Sequence, residues 1–131
     1  MILSMTFAVS SQTIENSSRS TIGYISPGGT VENSSRRILG YINSNGSIED
    51  NSRRTLGYIS KSGTVEDSSR RTLGYISASG TVENASRSTL GYVNSNGTVE
   101  NSSRTTIGYA RDVDKNDAAL FFFFFFKPAS R

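Results

Sequence analysis

The chain contains no cysteine, no histidine and no tryptophan. Without cysteine there is no disulfide framework and no thiolate nucleophile, and the redox compartment is left open. Without histidine there is no imidazole base or ligand. Charge of either sign is modest, 14 Lys and Arg against 11 Asp and Glu, for a net charge of +3. That balance leans toward acidic partners. Most of the excess, however, is one arginine position counted many times. No stretch approaches the roughly 18 apolar residues that a membrane-spanning helix needs. Residues 1–11 hold a short apolar run without a basic leader, a poor signal peptide, so the first 12 residues read as an arm or a closing strand and the location as cytoplasmic by default. At 131 residues the chain has room for one domain.

What fills that domain is a repeat. Six units of 17 residues begin at Thr13, Thr30, Ser47, Thr64, Thr81 and Thr98, without insertion or deletion. All six tyrosines (24, 41, 58, 75, 92 and 109) share one position of the unit, and all six glutamates share another. Segments such as Thr64-Val65-Glu66 and Thr72-Leu73-Gly74-Tyr75-Ile76 are short, β-branched or aromatic, and bounded by turn residues. That pattern is the strand signature, two strands to a unit. Pairs such as Asn45-Gly46 and Ser79-Gly80 suit a two-residue type I′ turn, and Asp67-Ser68-Ser69 suits a three-residue loop between Glu66 and Arg70.

The odd unit length constrains the faces. Side chains alternate along a strand, so each 17-residue unit needs one change of parity to return equivalent residues to the same face. One even and one odd turn would supply it. With the x-Gly turn as the even one, Val65, Leu73 and Tyr75 are expected on one face. Glu66, Arg70, Thr72, Gly74 and Ile76 fall on the other, with Glu and Arg opposite each other as an exposed, register-setting pair.

Six hairpins make twelve strands, and closure into an antiparallel barrel removes both exposed edges. Twelve strands tilted by about 40° enclose a radius of about 12 Å, too wide for their own side chains to fill. The C-terminal segment 115–131 offers a plug. Ala118, Ala119 and Leu120 run into Phe121, Phe122, Phe123, Phe124, Phe125 and Phe126. A helix apolar on all sides must be buried on all sides, and its diameter of ~10–12 Å suits such a bore. Asp112, Asp114, Asn116 and Asp117 ahead of it suit a helix N-terminus, and Lys127 and Pro128 suit its end. The same apolar run could instead dip into a membrane or a partner.

The repeated Leu73-Gly74-Tyr75-Ile76 and Ser79-Gly80, with the hydrophobic C-terminal segment, resemble the β-flower fold over residues 13–110. The resemblance implies a symmetric barrel of hairpin petals around a helix, and it implies no particular activity. In architecture alone, such a barrel is also similar to the tubby C-terminal domain and the phospholipid scramblases. Phosphoinositide binding by tubby-like domains makes lipid contact the analogous expectation.

Function follows less directly. Ser, Glu and Tyr recur in equivalent copies around a ring, whereas a catalytic site needs local asymmetry, so no enzyme activity and no cofactor are expected. Asp112, Asp114 and Asn116 match the first ligand positions of a calcium loop, but Asp117 stands where its glycine belongs and Phe123 where its last glutamate belongs. A helix cap is the better reading, and no metal site is expected. The arginines at 19, 36, 53, 70, 87 and 104, doubled at Arg37, Arg54 and Arg71, would crown one rim. Symmetry breaks at Arg36-Arg37, Arg53-Arg54 and Arg70-Arg71, which makes these six the candidate contact with an anionic lipid or membrane surface. Nucleic acid is not expected, and a monomer is favoured. The rival readings are an oligomerising module that uses its petals as contacts, and a parallel β-solenoid presenting the threonine ladder 13, 30, 64, 81 and 98, which Ser47 interrupts.

Overall fold

In the computed structural model, which describes residues 12–127, the repeats form a closed antiparallel barrel of twelve strands. The strands are β1 (Gln12–Asn16), β2 (Thr21–Ile25), β3 (Thr30–Asn33), β4 (Ile38–Ile42), β5 (Ser47–Asp50), β6 (Thr55–Ile59), β7 (Thr64–Asp67), β8 (Thr72–Ile76), β9 (Thr81–Asn84), β10 (Thr89–Val93), β11 (Thr98–Asn101) and β12 (Thr106–Tyr109). Each strand pairs with its sequence neighbours, and β1 closes the ring on β12 through Glu15↔Tyr109 and Asn16↔Gly108. Every pairing is antiparallel, which removes the solenoid reading. Within the expected N-terminal arm, Gln12 already belongs to the closing strand; the rest of the arm lies outside the described residues.

The parity change arises elsewhere than expected. Both turns are odd. At the glycine end, Ser60 N donates to Thr64 O and Gly63 N donates to Ser60 O, leaving a three-residue loop, 61–63, whose last residue has φ +94°. At the arginine end the same geometry recurs: Asp67 N donates to Arg71 O and Arg70 N donates to Asp67 O, with loop 68–70 and Arg70 at φ +70°. The type I′ expectation therefore fails, and the second loop sits one residue further along, between Asp67 and Arg71. The missing step is a β-bulge. Val65 pairs with Gly74 but Glu66 pairs with Thr72, so Leu73 is an extra residue on β8. One such bulge per unit restores the alternation that two odd turns would break.

The bulge also overturns the face assignment. Val65, Gly74 and Ile76 point into the barrel and are buried, whereas Tyr75, Glu66 and Thr72 line the outside. Grouping Val65 with Tyr75 was the error. Leu73 and its equivalents Ile22, Leu39, Leu56, Leu90 and Ile107 are half-buried against the core.

The bore is filled by the C-terminal segment, as the strand count requires. β12 ends at the glycine-turn rim, and from there α1 (Lys115–Ala119) enters the barrel, capped by Asp114, whose carboxylate accepts from the backbone of Asn116 and Asp117. The helix then widens into a π-helical turn over Leu120–Phe124. Helical structure thus ends before Lys127, and Pro128 lies outside the described residues. Leu120 O accepts from Phe125 N at 3.0 Å and from Phe126 N at 3.4 Å, five and six residues on.

That widening has a geometric cause. Each ring of the six-phenylalanine run meets the glycine of one unit: Phe121 at Gly23, Phe122 at Gly108, Phe123 at Gly91, Phe124 at Gly74, Phe125 at Gly57 and Phe126 at Gly40. Six consecutive residues visit six units in ring order, about 60° per residue, whereas an α-helix turns about 100° per residue. Only an unwound backbone can deliver one ring to each petal. The glycines make room: a Cβ on any of the six would lie 2.5–2.9 Å from the facing ring.

Candidate binding surfaces

Turn chemistry sets the arginine rim. In each unit an Asn or Asp opens the turn and its side chain accepts from the backbone two and four residues on, as Asp67 Oδ1 does from Ser69 N at 2.8 Å and Arg71 N at 2.9 Å. The same contacts recur at Asn16, Asn33, Asp50, Asn84 and Asn101. This brace holds a non-glycine residue in the left-handed region, and Arg occupies it in all six units. From there the guanidinium folds back over the preceding unit. Arg70 lies 3.7 Å from the Tyr58 ring centroid and 3.1 Å from Glu66, while Glu66 itself pairs across the strands with Tyr58. The arrangement repeats six times, and Arg19 over Tyr109 joins the last unit to the first. A stack of this kind contributes about 0.5–1 kcal/mol at an exposed site, and its ion pair less.

Of the six arginines singled out from the sequence, the structure therefore separates two sets. Arg36, Arg53 and Arg70 are held in these stacks as fasteners between petals. Arg37, Arg54 and Arg71 stand outside them on three consecutive turns. Arg54 and Arg71 have side chains 83% and 84% exposed and lie 3.2 and 3.4 Å from Asp50 and Asp67. In the Arg37 unit the acid is replaced by Asn33, and Arg37 has no ion pair among the described residues. Beside it stands Ile38, among the described residues the one exposed large hydrophobic side chain, where the other units carry threonine. Glu49, Asp50, Asp67 and Glu100 are held below their ordinary range. For Asp50 and Asp67 the chief cause is the backbone N–H of Arg54 and Arg71; for Glu49 and Glu100 it is the hydrogen bond from Arg53 and Arg104. Their contribution to stability is present at neutral pH and is lost as pH falls through these lowered values.

The opposite rim holds a recess of about 600 Å³ between α1 and the glycine turns of units one to three. Its lining includes Ile42, Asn43, Ile59 and Ser60 on the barrel side, and Asp114, Asn116 and Asp117 on the helix side. Asp114 is occupied as the helix cap, so the calcium-like run 112–117 serves the helix start. The phenylalanines are largely buried as the plug, with Phe124 and Phe125 only half-buried over units four and three.

Burial, and next the Asp114 charge, push the Asp117 carboxyl up to about 6 from 3.8. The sign is unfavourable at neutral pH: the folded state holds this proton more tightly than the unfolded chain, so stability falls as pH rises from about 4 to 6. Asp117→Asn is therefore expected to stabilise the fold above pH 6 by about 1–2 kcal/mol, discounted for the part of the carboxyl that water reaches. The gain should vanish below about pH 4, as pH-resolved thermal melts would show.

With twelve strands, a repeated Gly-Tyr and a buried apolar segment in place, one comparison is decisive. The family model described as 5-fold beta-flower protein matches residues 11–126. The chain belongs to this β-flower family. No curated protein and no solved structure matches it. This β-flower has six petals where the family description says five, and its plug carries a matching six phenylalanines. Among the described residues no helix is long and apolar enough to cross a membrane. What sequence reasoning missed was the pairing of each Phe of the C-terminal run with one Gly and the arginine fastener between petals; the available signal was that the run has six Phe and that Gly-Tyr and Arg each recur at one position of six units.

Proposed function

We propose that this β-flower is a non-catalytic binding module that meets an anionic lipid surface through one arc of its arginine rim. The observation that carries this reading is the asymmetry of Arg37, Arg54 and Arg71: three outward cations on adjacent turns, outside the six fasteners, with exposed Ile38 beside the one that lacks an acidic partner. An apolar side chain next to basic turns is the composition of a surface that rests at a lipid interface. Lys and Arg near an anionic membrane contribute about 1 kcal/mol each, so the arc would add roughly 3 kcal/mol and be sensitive to salt.

Co-sedimentation with vesicles of phosphatidylserine and phosphatidylcholine tests the reading. Binding is expected at low salt, weakened about 100-fold in the Arg37→Ser, Arg54→Ser, Arg71→Ser variant. The same number of substitutions at Arg19, Arg87 and Arg104 controls for net charge and should weaken binding less. No sedimentation of the wild type at low salt, or equal loss in both triple variants, would overturn the reading.

A further inference from the structure

The recess at the glycine rim stands apart from the arginine arc, and its incompleteness is local. The inward residue after Tyr is buried in five units: Ile25, Ile42, Ile76, Val93 and Ala110 are 1%, 9%, 2%, 5% and 2% exposed. Its equivalent Ile59 is left half-exposed, and Ile42 is the next least covered. Both line the recess. The cause is the off-axis seat of α1, which packs against β10 and is tied to the far side by Lys115 Nζ donating to Ser77 O at 3.2 Å. Units one to three are thereby left without a facing wall.

The polar side is equally unmatched. Asp117 contributes to the lining, and its carboxylate has no hydrogen bond or ion pair among the described residues. Next to it Asn116 Oδ1 is buried without a partner. A native structure rarely leaves a buried acceptor unpaired. A carboxylate without a donor thus shares the recess with Ile59, half-exposed, and Ile42, the least covered of the five buried residues.

We propose that this recess is a binding site for a small organic cation, an ammonium group on a short aliphatic stem. The ammonium supplies the donor that the Asp117 carboxylate lacks, and the stem covers Ile59 and the exposed edge of Ile42. An anion is disfavoured by Asp114 and Asp117. A bare cation would leave the aliphatic wall uncovered. The charged groups around Asp117 are Asp114, Lys115 and, from the facing turn, Lys61; Lys115 is engaged with Ser77, and Lys61 opposes an incoming cation. The ammonium can belong to a free amine or to a lysine side chain of a peptide, and the recess admits the same chemistry from either.

Titration by NMR of the full chain with n-butylammonium, with Nα-acetyl-lysine methylamide and with neutral 1-butanol tests this. Both ammonium probes are expected to saturate, with dissociation constants on the order of 1 mM, and to shift Ile42 and Ile59 methyl signals but not those of Ile25 and Ile76. Tighter binding of one probe identifies the source of the ammonium. Asp117→Asn, which is expected to fold more stably than the wild type, should weaken binding at least about tenfold, and Lys61→Ser should strengthen it. Acidification through about pH 6 should weaken it as Asp117 takes up its proton. Binding of 1-butanol as tight as the ammonium, an undiminished Asp117→Asn affinity, or shifts spread evenly over all six units would overturn the proposal.

Discussion

Replacing Gly74 by alanine is expected to destabilise the barrel by about 3 kcal/mol or more, the range for a buried overpacking that its surroundings cannot relieve. The new methyl would lie 2.9 Å from Phe124 and against the backbone carbonyl of Glu83. The carbonyl cannot retreat, because it belongs to a paired strand, and the half-buried ring can do so only by giving up its seat against Gly74. The effect is steric, which a second substitution separates from backbone propensity. Phe124→Ala alone should cost about 3 kcal/mol, less than a fully buried ring because Phe124 is only half-buried. In combination the two changes should cost less than their sum, since removing the ring relieves half of the collision. Chemical denaturation of the four proteins checks this. Strict additivity would mean that Gly74 is required for a reason other than Phe124.

The same residues show how far the sequence was legible. Twelve strands and closure could be read because period, turn residues and the avoidance of edges all agree. The need for a plug followed from barrel width, and the only long apolar run was available to meet it. The faces were misread because parity is a sum. An odd unit says that one change of alternation occurs per repeat; it does not say whether a turn or a bulge supplies it. Leu73 in the bulge has no residue-type signature that separates it from an ordinary strand leucine. The arginine turn misled in the same way, since a left-handed Arg is uncommon and only the Asn or Asp bracing it gives the position away. Of the candidate contact residues, three proved to be fasteners because the stacking partner of each Arg lies twelve residues earlier, in the neighbouring unit, beyond any local pattern.

The one-to-one match of rings and petals makes a second prediction, with a larger effect. Petal number and phenylalanine number should be coupled. Deleting unit four, residues 64–80, removes the glycine that Phe124 faces and leaves six rings for five berths. A ring without a berth is either exposed, forfeiting the roughly 2–3 kcal/mol of a buried Phe, or forces a neighbour out of place. Such a chain should unfold at much lower denaturant, with loss of cooperativity. Deleting Phe124 together with unit four restores the count. Phe121, Phe122 and Phe123 keep units one, six and five, and Phe125 and Phe126 keep units three and two. The doubly shortened chain should recover a single cooperative transition, because the turns, bulges and Arg-Tyr fasteners of the remaining petals are all internal to a unit or between neighbours. A family described as fivefold is consistent with a ring of five being able to close. Deleting Phe124 with no change in petals should instead shift Phe125 and Phe126 each by one unit, leaving Gly40 facing empty space, and cost more than Phe124→Ala. If the single and double deletions melt alike, the plug is a hydrophobic filler without register, and its count of six carries no structural information.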